Sequence, residues 1–142
     1  MSVTRQIIPL TGLLLTFAFS SYTVAGLHGQ QTPGGDFTNA STAEVRGPAG
    51  VLLRGQFAAV VEDDEDELER KATLASTAAG STASGEAEIE FDKGTPGKQE
   101  IEFSVSGLPA GTRLTFVIDG REVATATVDQ RGRAEAEVDI NG

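Results

Sequence analysis

Asp119-Gly120 stands between two runs that favour extended backbone, "LTFVI" and "REVATATV". A second reversal, Asp129 to Gly132, follows directly after. Asp-Gly between such runs marks a two-residue hairpin, because the turn needs positive φ at both central positions and Gly adopts it without a steric cost. In the second reversal Gly132 supplies the same freedom at the end of a four-residue turn. The two turns fix a register. Phe116 pairs with Val123 and Leu114 with Thr125. Thr127 then pairs with Ala134, Thr125 with Ala136 and Val123 with Val138. Leu114, Phe116, Ile118, Val123, Thr125, Thr127, Ala134, Ala136, Val138 and Ile140 share one face. Glu122, Arg133, Glu135, Glu137 and Asp139 share the other. A slip of one residue at either turn would move every side chain to the wrong face. The expectation is a three-stranded meander.

Period-two alternation also runs upstream. Ala87, Ile89 and Phe91 oppose Glu86, Glu88 and Glu90. Ile101, Phe103 and Val105 oppose Glu100, Glu102 and Ser104. Such strands bury one face and wet the other. "GEAEIEFD" at 85–92 and "GRAEAEVD" at 132–139 share the pattern Gly-x-Ala-Glu-x-Glu-x-Asp, 47 positions apart. "ELERKATLAS" and "DGREVATATV" precede them in comparable places. Before these comes "VLLRGQFAAVV", with Val51, Leu53, Phe57, Ala59 and Val61 on one face. Two pseudo-repeated three-stranded meanders joined by a linking strand give a seven-stranded antiparallel sandwich or partly open barrel. Residues 63–79 admit a helix as well, with Asp63 or Asp64 as N-cap and Glu67 four positions before Lys71. The repeat favours a strand there, with Leu68, Ala72 and Leu74 inward.

The N-terminal third differs in kind. Residues 1–25 have the arrangement of an export signal: Arg5 as the sole charge, an apolar stretch from Ile7 to Phe19, then Thr23-Val24-Ala25 as a small-residue cleavage site. Cleavage after Ser20 competes with it. The apolar stretch, interrupted by Pro9, Thr11 and Thr16, is shorter than the roughly 20 residues of a spanning helix. The expected destination is the bacterial periplasm or the extracellular space. Residues 26–48 are rich in Gly, Thr, Gln, Ser and Pro, with Leu27, Phe37 and Val45 as large apolar side chains. They read as a flexible linker to a β domain over 49–142. The single histidine, His28, lies in that linker.

Charge narrows the partners. The 142 residues hold 11 basic and 21 acidic side chains. Loss of residues 1–25 removes only Arg5, leaving a net charge of −11. Nucleic acid and anionic membrane surfaces are disfavoured, while a cation or a basic partner is compatible. No cysteine is present, so packing must hold the fold without disulfides.

Chemistry-bearing patterns are few. The acidic run "EDDEDELE" at 62–69 offers Asp63, Asp64, Asp66 and Glu67 as oxygen ligands for weak Ca²⁺ binding. It lacks the spaced acids and turning Gly of a wrapped calcium loop. Paired carboxylates can act as acid and base in glycosidases, but that needs a desolvated concavity and one raised pKa. Glutamates alternating on regular strands point to water, which makes an enzyme using surface carboxylates the weaker alternative. No cysteine or elbow-type serine signals a nucleophile, "GTPGK" at 94–98 lacks the phosphate-loop spacing, and no His/Cys cluster forms a metal signature. Catalytic and cofactor-binding residues are therefore none.

The stretch "ASGEAEIEF…KQEIEFSVSGLPAGTRLTFVIDGREVATATVDQRGRAEAEVD" resembles repeated β modules in exported bacterial proteins of unknown function. The likeness covers about residues 83–139 and rests on the Gly-x-Ala strands, the "LP-x-G" loop and the "DG" hairpin. It implies an immunoglobulin-like or related β fold and carries no activity to transfer. The expected function is an exported, non-catalytic structural or binding module. Its partner is a protein or envelope component, with strand addition at an exposed edge as one route.

Overall fold

The computed structural model describes residues 35–59, 61–64 and 66–141, and for Val61–Asp64 the backbone course alone. It is all-β and antiparallel. Nine strands follow in order: β1 (Thr42–Gly47), β2 (Gly50–Gln56), β3 (Val61–Asp64), β4 (Glu67–Ser76), β5 (Ser84–Asp92), β6 (Gln99–Ser106), β7 (Arg113–Ile118), β8 (Arg121–Thr127) and β9 (Arg133–Ile140). They form one sheet in the order β8-β7-β1-β2-β4-β5-β6-β9, with β3 paired to β4 beside this path. The sheet curls into a nearly closed, flattened barrel. One layer is β8-β7-β1-β2 and the other β4-β5-β6-β9. The ring of Phe103 in the second layer meets that of Phe116 in the first, centroids 4.7 Å apart.

The layers join where β2 and β4 pair at only two positions, Leu53 with Ser76 and Arg54 with Ala75. The backbones nearly touch at this corner. A β-carbon on Gly55 would lie 2.2 Å from the Thr73 carbonyl oxygen, so no side chain fits there. Beyond Gly55 the chain still follows β4, through an N–H of Ala58 donating to the Lys71 carbonyl, and then enters β3.

Of residues 63–79, 63–64 lie in β3 and 67–76 in β4, and no helix forms among those described. Leu68 packs against the core and Ala72 and Leu74 are buried, as a strand requires. Inward Ala87, Ile89, Phe91, Ile101, Phe103 and Val105 are all buried as their alternation predicts.

Three departures from the sequence pattern have physical causes. First, the linker expected over 26–48 ends earlier. Its residues 26–34 lie outside the described part, but Thr42–Gly47 is β1, flanked by both β2 and β7. Phe37, Ala40, Ala43 and Val45 are buried. These few apolar residues suffice because each fills a place in the core, while the polar residues between them face outward. Arg70 fixes the segment leading in, donating from Nη1 to the Thr38 carbonyl and from Nε to that of Ala58.

Second, the β7–β8 hairpin turns at Asp119-Gly120, with Ile118 opposite Arg121 and Val117 opposite Glu122, but a bulge follows. Phe116 pairs with Ala124 and not with Val123. The extra residue inverts the alternation. Val123 and Ala124 are both buried and Ala126 packs against the core, while Thr127 is exposed.

Third, β9 does not return alongside β8. It crosses to the other layer and pairs with β6 along its whole length, from Gln99 opposite Ile140 to Ser106 opposite Arg133. The predicted reversal at 129–132 exists, but both layers hold it. Val128 exchanges backbone hydrogen bonds with the loop before β7 at Gly111 and Thr112, and the Gly132 carbonyl accepts from Leu108 after β6. The turn is thus a corner. The two expected meanders give way to a path in which β9 joins β6 at one end and β8 joins β7 at the other, the 107–112 connection crossing from one layer to the other. Phe116 and Val138 still line a common core.

Candidate functional site

The two similar octets now have a shared position. β5 and β9 flank β6 on its two sides. Their inward residues form rows with β6: Ala87–Phe103–Ala136 and Ile89–Ile101–Val138. Their outward residues form rows of carboxylates. One row runs Glu69–Glu90–Glu100–Asp139 across β4, β5, β6 and β9. The next runs Lys71–Glu88–Glu102–Glu137, and a third Thr73–Glu86–Ser104–Glu135. Directly opposed side chains on neighbouring strands lie about 5 Å apart, so like charges repel along each row.

Lys71 is a cation seated in this face. Its Nζ lies 2.6 Å from Glu69 Oε1 and 3.4 Å from Glu88 Oε2. The carboxylate side chains of Glu69 and Glu88 are only 13% and 18% exposed, so these acids are not simply solvated. Burial, a hydrogen bond with Glu88 and the charge of Glu100 push the Glu90 carboxyl up to about 7. Burial first, then Glu137 and Asp139, raise Glu100. Burial first, then Glu137 and Glu88, raise Glu102. The oxygens of Glu69, Glu88 and Glu90 converge within 4.8 Å of one another, and so do those of Glu100, Glu102 and Glu137. Such a face can attract cations, exchange protons near neutrality and bind basic groups.

The four residues proposed for Ca²⁺ fall at one edge of this face. Asp63 and Asp64 lie on β3, where the backbone alone is described. Glu67 opens β4, paired with Asp64 on one side and Asp92 on the other. Asp66 sits in the β3–β4 turn, its carbonyl accepting the Lys93 N–H. Glu69, from the same acidic run, joins the carboxylate rows.

Sequence reasoning placed the outward glutamates correctly but treated each strand alone. What it missed is their alignment across four strands. The signal was present in the two octets: identical acid spacing, with a third Glu-x-Glu strand at 100–102 able to sit between them.

Apart from this face lies a groove of about 700 Å³. Leu68, Phe91 and Ile140 line it, together with Lys93 and Lys98. Its polar wall is Gln99, only 5% exposed, whose Oε1 accepts the Phe37 N–H at 2.9 Å and whose Nε2 donates to Asp36. Glu90 does not line this groove.

Comparison with known protein families, with curated proteins and with solved structures finds no match for this chain. Among the described residues no helix is long and apolar enough to cross a membrane.

Proposed function

We propose that this chain is an exported, non-catalytic binding module of a bacterial envelope, and that its working surface is the acidic outer face of β4, β5, β6 and β9. The partner is a cationic protein or envelope component. One observation carries the reading: three adjacent strands align their carboxylates in rows, and burial and mutual repulsion raise the proton affinity of Glu90, Glu100 and Glu102. Rows of like charge on a regular sheet weaken the free protein. A bound polycation removes that cost, so binding and stability are linked. The export signal read at residues 1–25 and the resemblance of 83–139 to exported β modules agree with this role.

The test is binding of polylysine, followed by fluorescence and titrated with salt. Binding at low ionic strength that weakens steeply with added salt is expected, as for release of screening ions. A Glu88→Gln, Glu102→Gln double variant should weaken it at least several-fold. An unchanged affinity in that variant, or no binding at low salt, would count against the assignment.

A second reading is divalent-cation binding, favoured by the convergence of Glu69, Glu88 and Glu90, and of Glu100, Glu102 and Glu137. Millimolar Ca²⁺ should then raise the melting temperature, because a ligand of the native state alone stabilises it. An unmoved midpoint removes this reading and leaves the first intact.

A further inference from the structure

The seam between β8 and β9, where the two strands come close without pairing, shows how a partner could meet the acidic face. β8 and β9 end the path of strands, and no ladder joins them among the described residues. β9 is thus an edge strand, and it lacks the usual guards. It runs for eight residues without Pro or Gly, and its register against β6 is uninterrupted. Natural edges are commonly blunted by a proline, a bulge or an inward charge. β8, on the other side of this seam, carries the bulge at Val123. On β9 the charged residues all lie on the outer face: Arg133, Glu135, Glu137 and Asp139. Its inner face is Ala134, Ala136, Val138 and Ile140. This alternation is what an added strand would have to match.

We infer that β9 accepts an extended segment of a partner protein by strand addition, and that the segment alternates basic with apolar residues. This inference rests on the cationic-partner reading and specifies its mode. The basic character follows from the rows. Lys71–Glu88–Glu102–Glu137 and Glu69–Glu90–Glu100–Asp139 both end on β9. The next strand would place its outward side chains beside Glu135, Glu137 and Asp139. An acid there lengthens a repulsive row, whereas Lys or Arg closes it with an opposite-charge pair. The apolar positions follow from the pleat, which turns every second side chain toward the core side beside Ala134 and Ala136. Main-chain hydrogen bonds to the edge supply affinity, and the alternating side chains supply selectivity.

The experiment uses the full chain and a labelled ten-residue peptide of alternating lysine and valine. Its companion has the same side chains with every backbone amide N-methylated. The unmodified peptide should bind, with amide exchange slowed along β9, and methylation should weaken binding at least tenfold. A Glu135→Gln, Glu137→Gln double variant should weaken it several-fold, while Glu122→Gln on β8 leaves it unchanged. Equal binding of the methylated peptide would overturn strand addition while leaving the acidic-face reading standing. So would binding of polylysine without binding of the alternating peptide. Failure of both polylysine and peptide to bind would remove the two together.

Discussion

Asp119 shows how much one side chain can connect. It is the sole residue other than glycine with positive φ among those described, at 46°, and Gly120 follows at 82°, which gives the reversal between β7 and β8. Its carboxylate then reaches back to the start of β1. Oδ1 accepts the Thr42 N–H at 2.8 Å and the Thr42 hydroxyl at 3.1 Å, and Oδ2 accepts the Ser41 N–H at 3.0 Å. Partial burial works against the charge, but these donors hold the carboxyl below its usual range. Asp119→Ala removes a residue suited to the left-handed conformation and leaves the β1 donors to water. The expected loss is about 1.5–3 kcal/mol in urea unfolding, with Asp119→Asn losing distinctly less. The turn was legible in the sequence, since Asp-Gly states it locally. The tie to Ser41 and Thr42 was not, because nothing in a Gly- and Thr-rich segment says that it meets a hairpin nearly 80 positions later.

Among the elements, β5 bears the strongest internal conflict. Glu90 lies between Glu69 and Glu100, with Glu88 bonded to it. Glu90→Gln keeps the shape and removes the charge. At pH 7.5 it should stabilise the fold by about 0.5–1 kcal/mol, a gain of the size expected for cross-strand charge pairs. Below the unfolded value of 4.5, where the carboxyl carries its proton in both states, the gain should vanish in the same unfolding experiment. Strand identity was readable along β5 and β6 because each alternates cleanly between apolar and charged residues, whereas β4, with Arg70 breaking its alternation, admitted a helix and was read as a strand from the repeat alone. Strand pairing was readable only across a tight turn. The Val123 bulge left no mark in a run of Val, Ala and Thr, all of which tolerate either face. The choice of β6 over β8 as the neighbour of β9 was equally hidden, since Ala134, Ala136 and Val138 would fill either place. The acidic face inherited that blindness: its glutamates were visible, and their alignment depended on the pairing.

At the scale of the molecule, two sets of acids oppose each other in pH. Glu90, Glu100 and Glu102 have raised carboxyls, so the folded state binds more protons than the unfolded chain. Their stabilisation is complete below the unfolded value of 4.5 and is lost as pH rises through about 7 for Glu90. Asp36, Glu44, Asp119 and Asp129 have lowered carboxyls, held by the Thr38 hydroxyl and N–H, by Arg46 and Arg54, by the Thr42 and Ser41 N–H groups, and by the Arg133 and Arg131 N–H groups respectively. Their stabilisation is present above the unfolded value and lost as pH falls through the folded one. The melting temperature should therefore rise as pH is lowered from 8, peak at about 5 and fall again below about 4. A midpoint that climbed steadily toward alkaline pH would contradict the balance of these two groups. The place of β1 has a different consequence. It sits between β2, its immediate successor, and β7, and Val45 faces Phe116 about 70 positions later. A chain that emerges from its N-terminus holds this strand half-satisfied until most of the polypeptide has appeared. With so few local contacts available early, assembly belongs to the slow regime of milliseconds to seconds, and an interrupted synthesis leaves an exposed, adhesive remnant with no smaller domain to fall back on.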